Sequence, residues 1–245
     1  MRWLMACVVL WSCGGDPWKA ITREPARTEV VIIGSLHRVH LHDEDYPMRI
    51  LEALIRAAEP EVVVAEIPPA GFARVSAAHA AEEEDPWLTS FPELSAVVFP
   101  LHDEFGFELV PGSGWRRAMT DEWTGYWERH PSGPEEPLFQ QVWTHRERRL
   151  GEEGADPMWI HSPTYRNLTQ WGDNALATHA DLGEADPLRV CRAHAVRVDA
   201  AIRAHEGKRI AVVFDARRRW CLERAVRELP GVVLHDTRAL IDTLE

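Results

Sequence analysis

The chain has 245 residues, of which 45% are hydrophobic and 27% are charged, a composition typical of a folded globular protein. Its net charge is −12 and its isoelectric point is near 5.5. Because nucleic acids are bound through clustered Lys and Arg, this acidic balance argues against nucleic acid as the main partner.

The first thirteen residues differ from the rest of the chain. Arg2 precedes an apolar run, Trp3 to Trp11, that is too short to span a bilayer but has the length of a signal-peptide core. Leu10-Trp11-Ser12-Cys13 resembles a bacterial lipobox, in which a cysteine is lipidated and becomes the mature N-terminus. The bulky Trp11 departs from that motif. Three interpretations therefore stay open: a lipoprotein anchored through Cys13, an uncleaved or secreted form, and a buried N-terminal strand.

Residues 14–28 are predicted to be a linker, and residues 29–245 are predicted to form one α/β domain. Thr28 to Gly34 is a β-branched apolar run of the kind found in buried parallel strands. A helix opened by Pro47 follows, and then a second buried strand, Glu61 to Glu66. This order predicts a right-handed β-α-β crossover whose two strands are parallel and adjacent.

The same alternation continues along the chain. A helix over 92–105, interrupted by Pro100, precedes a third strand at 107–110. Residues 115–187 are rich in Trp and in charge and predict a helical insertion. The elements predicted after it are a helix at 188–205, a strand at 209–214, a helix at 217–229, a strand at 232–234 and a helix at 237–244. The fold class is thus α/β, with a mostly parallel central sheet flanked by helices.

Two compositional features leave alternatives open. The chain has eleven Trp, which either fill the core or form an apolar, carbohydrate-like ligand surface. Cys191 and Cys221 remain once the two leader cysteines are set aside. They form either a disulfide in an oxidising compartment or two buried free thiols.

Candidate functional residues follow three of the predicted strands. His37 lies just past the first strand, Glu66 ends the second, and Asp215 follows Phe214 at the end of another. Ligands of open parallel sheets bind beyond the carboxyl ends of the strands, so these side chains are expected at one edge. A His–Glu pair can work as acid and base, and a carboxylate that closes an apolar strand is costly unless it is paired or functional. His37 and Glu66 are the predicted catalytic residues.

Polar residues beside these positions have two interpretations each. His40, His42, Asp43 and Asp45 share the loop with His37 and either help to hold a divalent ion or form a solvated loop. Arg217, Arg218 and Arg219 either begin a solvated helix or bind an anionic group at the sheet edge. We take Arg217 and Arg218 as the candidate substrate-binding residues.

These motifs resemble the opening of the TraB/Tiki superfamily, which includes ChaN-like haem-binding lipoproteins and erythromycin esterases. Gly34 to His37 matches its Gly-x-x-His after the first strand, and Glu66 matches its Glu at the end of the second. The second Gly-x-x-His of the family is altered here, because Asp215 replaces the glycine and Arg218 the histidine. The resemblance covers about 100 residues in two blocks.

The resemblance implies a hydrolase whose histidines and glutamate bind a divalent metal such as Mn, Co or Zn. Guanidinium has no lone pair for a cation, so Arg218 cannot replace the missing histidine as a ligand. Either His40 or His42 then replaces that histidine, with His37, Glu66 and His40 as the tentative ligands, or the site works without metal through His37 and Glu66, or catalysis has been lost.

Two functions are expected from these residues and this resemblance. The first is an envelope-anchored hydrolase, possibly metal-dependent, that acts on a small molecule or a peptide. The second is a non-catalytic ligand-binding lipoprotein, with haem as the alternative cofactor. In both, the predicted location is the periplasmic side of a bacterial cell envelope, with a lipid on Cys13 attaching the protein to the membrane.

Overall fold

Five parallel strands form one sheet in the computed structural model, which describes residues 27–244. The predicted leader, Cys13 and all but the last two residues of the predicted linker lie outside the described residues. The strands are β1 (Thr28–Ser35), β2 (Val62–Ala65), β3 (Glu108–Pro111), β4 (Arg209–Asp215) and β5 (Val232–His235). Their order across the sheet is β3-β2-β4-β1-β5, and every pairing is parallel. The predicted α/β class is confirmed.

Helices cover both faces of this sheet. They are α1 (Met48–Ala58), α2 (Phe72–Ala80), α3 (Pro86–Ser90), α4 (Phe99–Phe105), α5 (Arg117–Arg129), α6 (Pro137–Glu153), α7 (Pro157–Ile160), α8 (Pro163–His179), α9 (Pro187–Ala204), α10 (Arg219–Arg227) and α11 (Thr237–Ile241). Within residues 27–244, no helix combines the length and the apolar character that crossing a membrane requires.

The predicted adjacency of the first two strands is wrong. β4 lies between them, paired with β1 from Glu29 to Ser35 and with β2 from Val62 to Ala65. The crossover from β1 to β2 therefore skips one position in the sheet. That position is occupied by β4, which comes almost 150 residues after β2 in the sequence. Local sequence patterns predict the crossover but do not show which distant strand pairs beside it.

The direction of each crossover decides which face its helices cover. α1 and the helices from α2 to α4 pack on one face of the sheet, together with α7 and α11. α9 and α10 pack on the opposite face. The loops that leave β1 and β2 therefore turn to one side, and the loop that leaves β4 turns to the other. A crevice opens between such loops at the carboxyl ends of the strands, and in parallel sheets that crevice is where ligands bind.

The predicted insertion is helical and has its own apolar core. Its helices α5, α6 and α8 bury Met119, Tyr126, Phe139 and Leu176 together. Trp115, Trp123, Trp127 and Trp143 pack around this cluster. For these four tryptophans, the packing favours the core-filling interpretation.

A disulfide joins Cys191 on α9 to Cys221 on α10, with the two Cα atoms 6.1 Å apart. Of the two alternatives for this cysteine pair, the structure therefore shows the bonded one. The cross-link connects two neighbouring helices on the face opposite α1.

Candidate functional site

His37 is held in an unusual backbone conformation immediately after β1. Its φ is +51°, in the left-handed region that side chains other than glycine rarely occupy. The His37 backbone N–H donates to Ser35 Oγ (3.1 Å), and that hydroxyl donates to Glu93 Oε1 (2.7 Å). The His37 side chain completes this hydrogen-bond network, since its Nδ1–H donates to the same Glu93 oxygen at 2.6 Å. Strained backbone stabilised by its surroundings in this way is concentrated at functional sites.

The orientation of the His37 ring follows from these bonds. Because Nδ1 is committed to Glu93, Nε2 is the nitrogen that remains free, and it lies 3.8 Å from Asp215 Oδ2. Phe91 packs edge-on against the ring, with centroids 4.4 Å apart, and Trp87 stacks on Phe91. The imidazole is 19% exposed, so solvent and small ligands still reach it.

Glu66 and Asp215 meet across the gap between β2 and β4. Ala65 is in register with Val213, which places Glu66 beside the last residues of β4. The Asp215 backbone N–H donates to Glu66 Oε2 at 2.8 Å. No described residue donates to the other carboxylate oxygen of Glu66, whose side chain is buried with 8% of its residue surface exposed. That second oxygen is free to accept a proton.

The pKa values of His37 and Glu66 are both raised, for different reasons. Burial lowers the pKa of His37, but the hydrogen bond to Glu93 and the charges of Asp215, Glu93 and Glu66 outweigh it and raise the value from 6.5 to about 9. Burial raises the pKa of Glu66 from 4.5 to about 7, an increase that the positive charge of His37 partly offsets. Between these values, His37 carries a proton and Glu66 does not.

Asp215 stays ionised in the same cluster. Burial alone would raise its pKa, yet the charges of Arg217, His37 and Arg218 hold it well below its ordinary value. Arg217 contacts both Asp215 oxygens, since its Nη2 lies 2.8 Å from Oδ2 and its Nε lies 3.0 Å from Oδ2 and 3.2 Å from Oδ1, and its side chain is 54% exposed. Of the two predicted substrate-binding residues, Arg217 therefore lies at the site with its guanidinium partly open to solvent.

Arg218 is turned into the insertion. It donates to Asp173 Oδ2 on α8 at 3.1 Å, and Trp220 Nε1–H donates to the same oxygen at 2.9 Å. Arg219 is buried and donates to the carbonyl of Ile160 and to Glu223. Arg218 and Arg219 thus fasten the helical insertion to the end of β4, and neither is the exposed helix start that was considered from the sequence.

The tentative ligand His40 has a structural role in its own loop. Its Nε2 accepts from the backbone N–H of Leu36 (2.8 Å), and its Nδ1–H donates to the carbonyl of Tyr46 (2.6 Å). Both ring nitrogens are therefore used, and no lone pair remains for a metal. Asp43 accepts from the backbone N–H groups of Asp45 and Tyr46, so it shapes the turn that follows.

The predicted metal does not fit this arrangement of donors. Among residues 27–244, no group of three or more His, Cys, Asp or Glu side chains is placed to hold a metal ion. Asp215 is bound by Arg217, His37 Nδ1 by Glu93, and His40 by its own loop. His37 Nε2, one Glu66 oxygen and the buried Glu93 Oε2 have no hydrogen-bond partner in the described part of the chain, but these atoms are not placed together to hold an ion.

Sequence reasoning did not identify Glu93 or His161. Glu93 is a buried carboxylate followed by the apolar residues Leu94, Val97 and Val98. In the sequence, the charge of Glu93 beside these apolar residues was the feature that could have indicated a buried, functional carboxylate. His161 is buried and accepts the backbone N–H of Gly34 at its Nε2 (2.9 Å). Burial and the charge of Arg219 lower the pKa of His161 to about 3, so this ring is neutral.

The Gly34 position is fixed by packing against the turn after β4. A Cβ on Gly34 would lie 2.8 Å from the Cβ of Ala216 and 3.0 Å from Cδ of Arg219. Any larger residue would push the ends of β1 and β4 apart and separate His37 from Asp215. The glycine of the Gly-x-x-His motif therefore sets the width of the crevice.

Comparisons of the whole chain with protein-family models, with curated proteins and with solved structures give no match. The chemistry of the site therefore rests on the residues that end β1, β2 and β4.

Proposed function

We propose that this protein is a hydrolase of small-molecule or peptide substrates that uses His37 and Glu66 as an acid–base pair. The observation that carries the proposal is the paired state of these groups: a Glu93-anchored imidazole carrying a proton, beside a buried carboxylate with one free oxygen. Acid–base pairs of this kind arise where neighbouring groups and burial shift the pKa values of titratable side chains away from their ordinary values.

Each group has a definite role in this reaction. Glu66 takes a proton from a water molecule, and the water oxygen forms a bond to the substrate carbonyl carbon. His37 donates the Nε2 proton to the leaving oxygen or nitrogen as the bond from that atom to the carbonyl carbon breaks. Transfer of the proton from Glu66 back to His37 restores both residues. No step needs a metal ion, and none is assigned to one.

Arg217 gives the proposal a substrate preference. Its guanidinium is half exposed while its other side is bound to Asp215, so it can receive an anionic group at the edge of the crevice. We expect substrates that carry a carboxylate or a phosphate near the scissile bond to be favoured over neutral ones.

The TraB/Tiki resemblance supports the same site, since its first Gly-x-x-His and its Glu correspond to His37 and Glu66. The envelope location and the lipid on Cys13 remain part of this proposal. A non-catalytic ligand-binding protein is the second candidate. It is favoured by Arg218, which replaces the second histidine of the family and is bound to Asp173.

A hydrolysis assay with a chelator tests the first candidate. The full chain is assayed in EDTA against fluorogenic esters and peptides, half of which carry a carboxylate. We expect turnover that resists EDTA, with a bell-shaped pH profile whose limbs lie near pH 7 and 9, as expected from Glu66 and His37. Glu66→Gln should abolish this turnover.

Glu61→Gln is the matched control, because Glu61 lies just before β2, at its opposite end, and pairs with Lys208. Turnover that EDTA removes, or an equal loss in both variants, would contradict the metal-free proposal. A lack of turnover together with a haem absorbance band on titration would favour the ligand-binding candidate.

A further inference from the structure

A second charged site lies beyond the carboxyl ends of β1 and β5. It is a cavity of about 150 Å³ between Ile32, Leu234 and the first residues of α8. None of His37, Glu66 and Asp215 lines it. The cavity is therefore separate from the proposed acid–base site, although Arg219 and His161 contribute to the surroundings of both.

Positive charge exceeds negative charge around this cavity. The arginine and acidic side chains that line it are Arg166, Arg219, Arg227, Arg238, Glu223 and Asp236. Four guanidinium groups thus face two carboxylates, in a protein whose overall charge is −12. A local excess of this sign attracts anions against the charge of the whole molecule.

Most of that excess converges on one buried carboxylate. Glu223 is 5% exposed, and it accepts from Arg219, from Arg166 at 3.2 Å and from Arg227 at 2.8 Å. A single negative charge cannot neutralise three guanidinium groups. The side chains of Arg166 and Arg227 are 27% and 52% exposed, so the excess positive charge faces solvent, where it attracts a further anion.

Arg219 provides a buried donor that has no partner. The residue is 4% exposed, and its two Nη atoms are satisfied by Ile160 and Glu223. Its Nε–H is fully buried and has no acceptor among residues 27–244. Buried N–H groups are nearly always paired, so this one indicates a missing acceptor.

The N-terminus of α8 adds a second source of positive potential. Ser162 caps this 17-residue helix, and Ser162 and Pro163 both line the cavity. The positive end of the helix dipole therefore lies at the cavity, although Pro163 has no N–H and the Tyr165 N–H already donates to Ser162 Oγ.

We propose that this cavity binds a tetrahedral oxyanion, namely inorganic phosphate or the phosphate group of a small phosphomonoester. The guanidinium donors come from Arg166 on α8 and from Arg219 and Arg227 on α10, so they approach from two elements, whereas Arg238 at the start of α11 is paired with Asp236. A planar carboxylate is satisfied by one bidentate guanidinium, whereas several donors on different elements suit an anion with three or four oxygens. The cavity volume leaves room for a phosphate and a few additional atoms.

Phosphate titration of the full chain tests this proposal. Calorimetry with inorganic phosphate should show saturable binding at one site, and the melting temperature should rise with the logarithm of the phosphate concentration. Arg227→Gln and Arg166→Gln should each weaken binding about tenfold, the effect of one charge-assisted hydrogen bond. The Arg219 Nε–H resonance should shift on addition of phosphate.

Arg224→Gln is the matched control, since Arg224 is an exposed arginine of the same helix that does not line the cavity. We expect less than a twofold change for it. Sulfate should bind comparably and acetate more weakly. Tighter binding of glycerol phosphate than of phosphate would identify a phosphomonoester as the ligand, and weaker binding would identify inorganic phosphate. Binding that does not saturate, or equal weakening by Arg224→Gln, would overturn the proposal.

Discussion

The ends of β1, β2 and β4 and the helical insertion both bury charged and polar side chains, but they use them differently. At the strand ends, His37 Nε2 and one Glu66 oxygen remain free beside an ionised Asp215. In the insertion, both ring nitrogens of His161 are hydrogen-bonded, and Asp173 Oδ2 accepts from Arg218 and Trp220. The contrast supports the proposal that the strand ends carry the chemistry, while the insertion holds these ends in place.

The largest expected effect is the loss of catalytic activity on substitution of Glu66. If activity did not fall, the proposed difference between the strand ends and the insertion would be wrong. Glu66→Gln removes the proposed base but keeps an oxygen to accept the Asp215 N–H, so we expect activity to fall by roughly 10²- to 10⁴-fold with the fold retained. Asp173→Asn, in the insertion, should reduce activity far less. Steady-state kinetics on both variants, with circular dichroism to check folding, measures this. An equal loss in the two variants would mean that the insertion takes part in the chemistry.

Removal of the disulfide is expected to have the largest effect on stability. Cys191 and Cys221 are 30 residues apart, and opening a loop of this size costs about 3 kcal/mol through the entropy of the unfolded chain. The Cys191→Ala/Cys221→Ala double variant should lose about that much in urea unfolding. Dithiothreitol should destabilise the wild type and leave the double variant unchanged. A wild type that is insensitive to dithiothreitol would show that the two thiols are unpaired in solution.

The hydrogen bond that attaches the insertion to β1 should contribute less to the free energy of unfolding than the disulfide does. His161→Phe leaves the buried Gly34 N–H without an acceptor, a loss of about 2 kcal/mol. Hydrogen exchange at Gly34 should accelerate in this variant more than exchange at Val64 in the centre of the sheet. If the Gly34 N–H stayed protected, the insertion would not be fastened through this bond.

The pH dependence of stability should distinguish the two regions by its sign. His161 has a lowered pKa of about 3, so its contribution is complete above pH 6.5 and is lost progressively as the pH falls toward 3. His37 has a raised pKa of about 9, so its contribution is complete below pH 6.5 and is lost as the pH rises through 9.

Urea unfolding of the wild type, His161→Phe and His37→Gln from pH 3 to 10 checks this. His161→Phe should flatten the acid side of the stability curve, and His37→Gln should flatten the alkaline side. The opposite assignment of the two limbs would contradict the protonation states described for the site.

The strands at the site were predictable because each can be recognised from a short stretch of its own sequence. β-branched apolar runs such as Val62 to Ala65 form buried strands wherever they pair, and the residues that follow them must lie at one edge. The placement of β4 between β1 and β2 was not predictable in this way, because it depends on a pairing between distant segments. Glu93 and His161 were missed for the same reason: each acts on the end of β1 from 58 and 127 residues away, respectively.

The left-handed backbone at His37 has a consequence for how the protein responds to selection. Glu59 and Glu82 also have positive φ, but Glu59 directly follows a helix and Glu82 lies two residues beyond one, at positions where glycine is common. Random mutagenesis screened only for thermal tolerance should therefore enrich glycine or asparagine at all three positions. A screen that also requires function should keep enriching them at 59 and 82 while holding histidine at 37. Divergence between the two screens at that single position would measure how much stability the protein gives up for its activity.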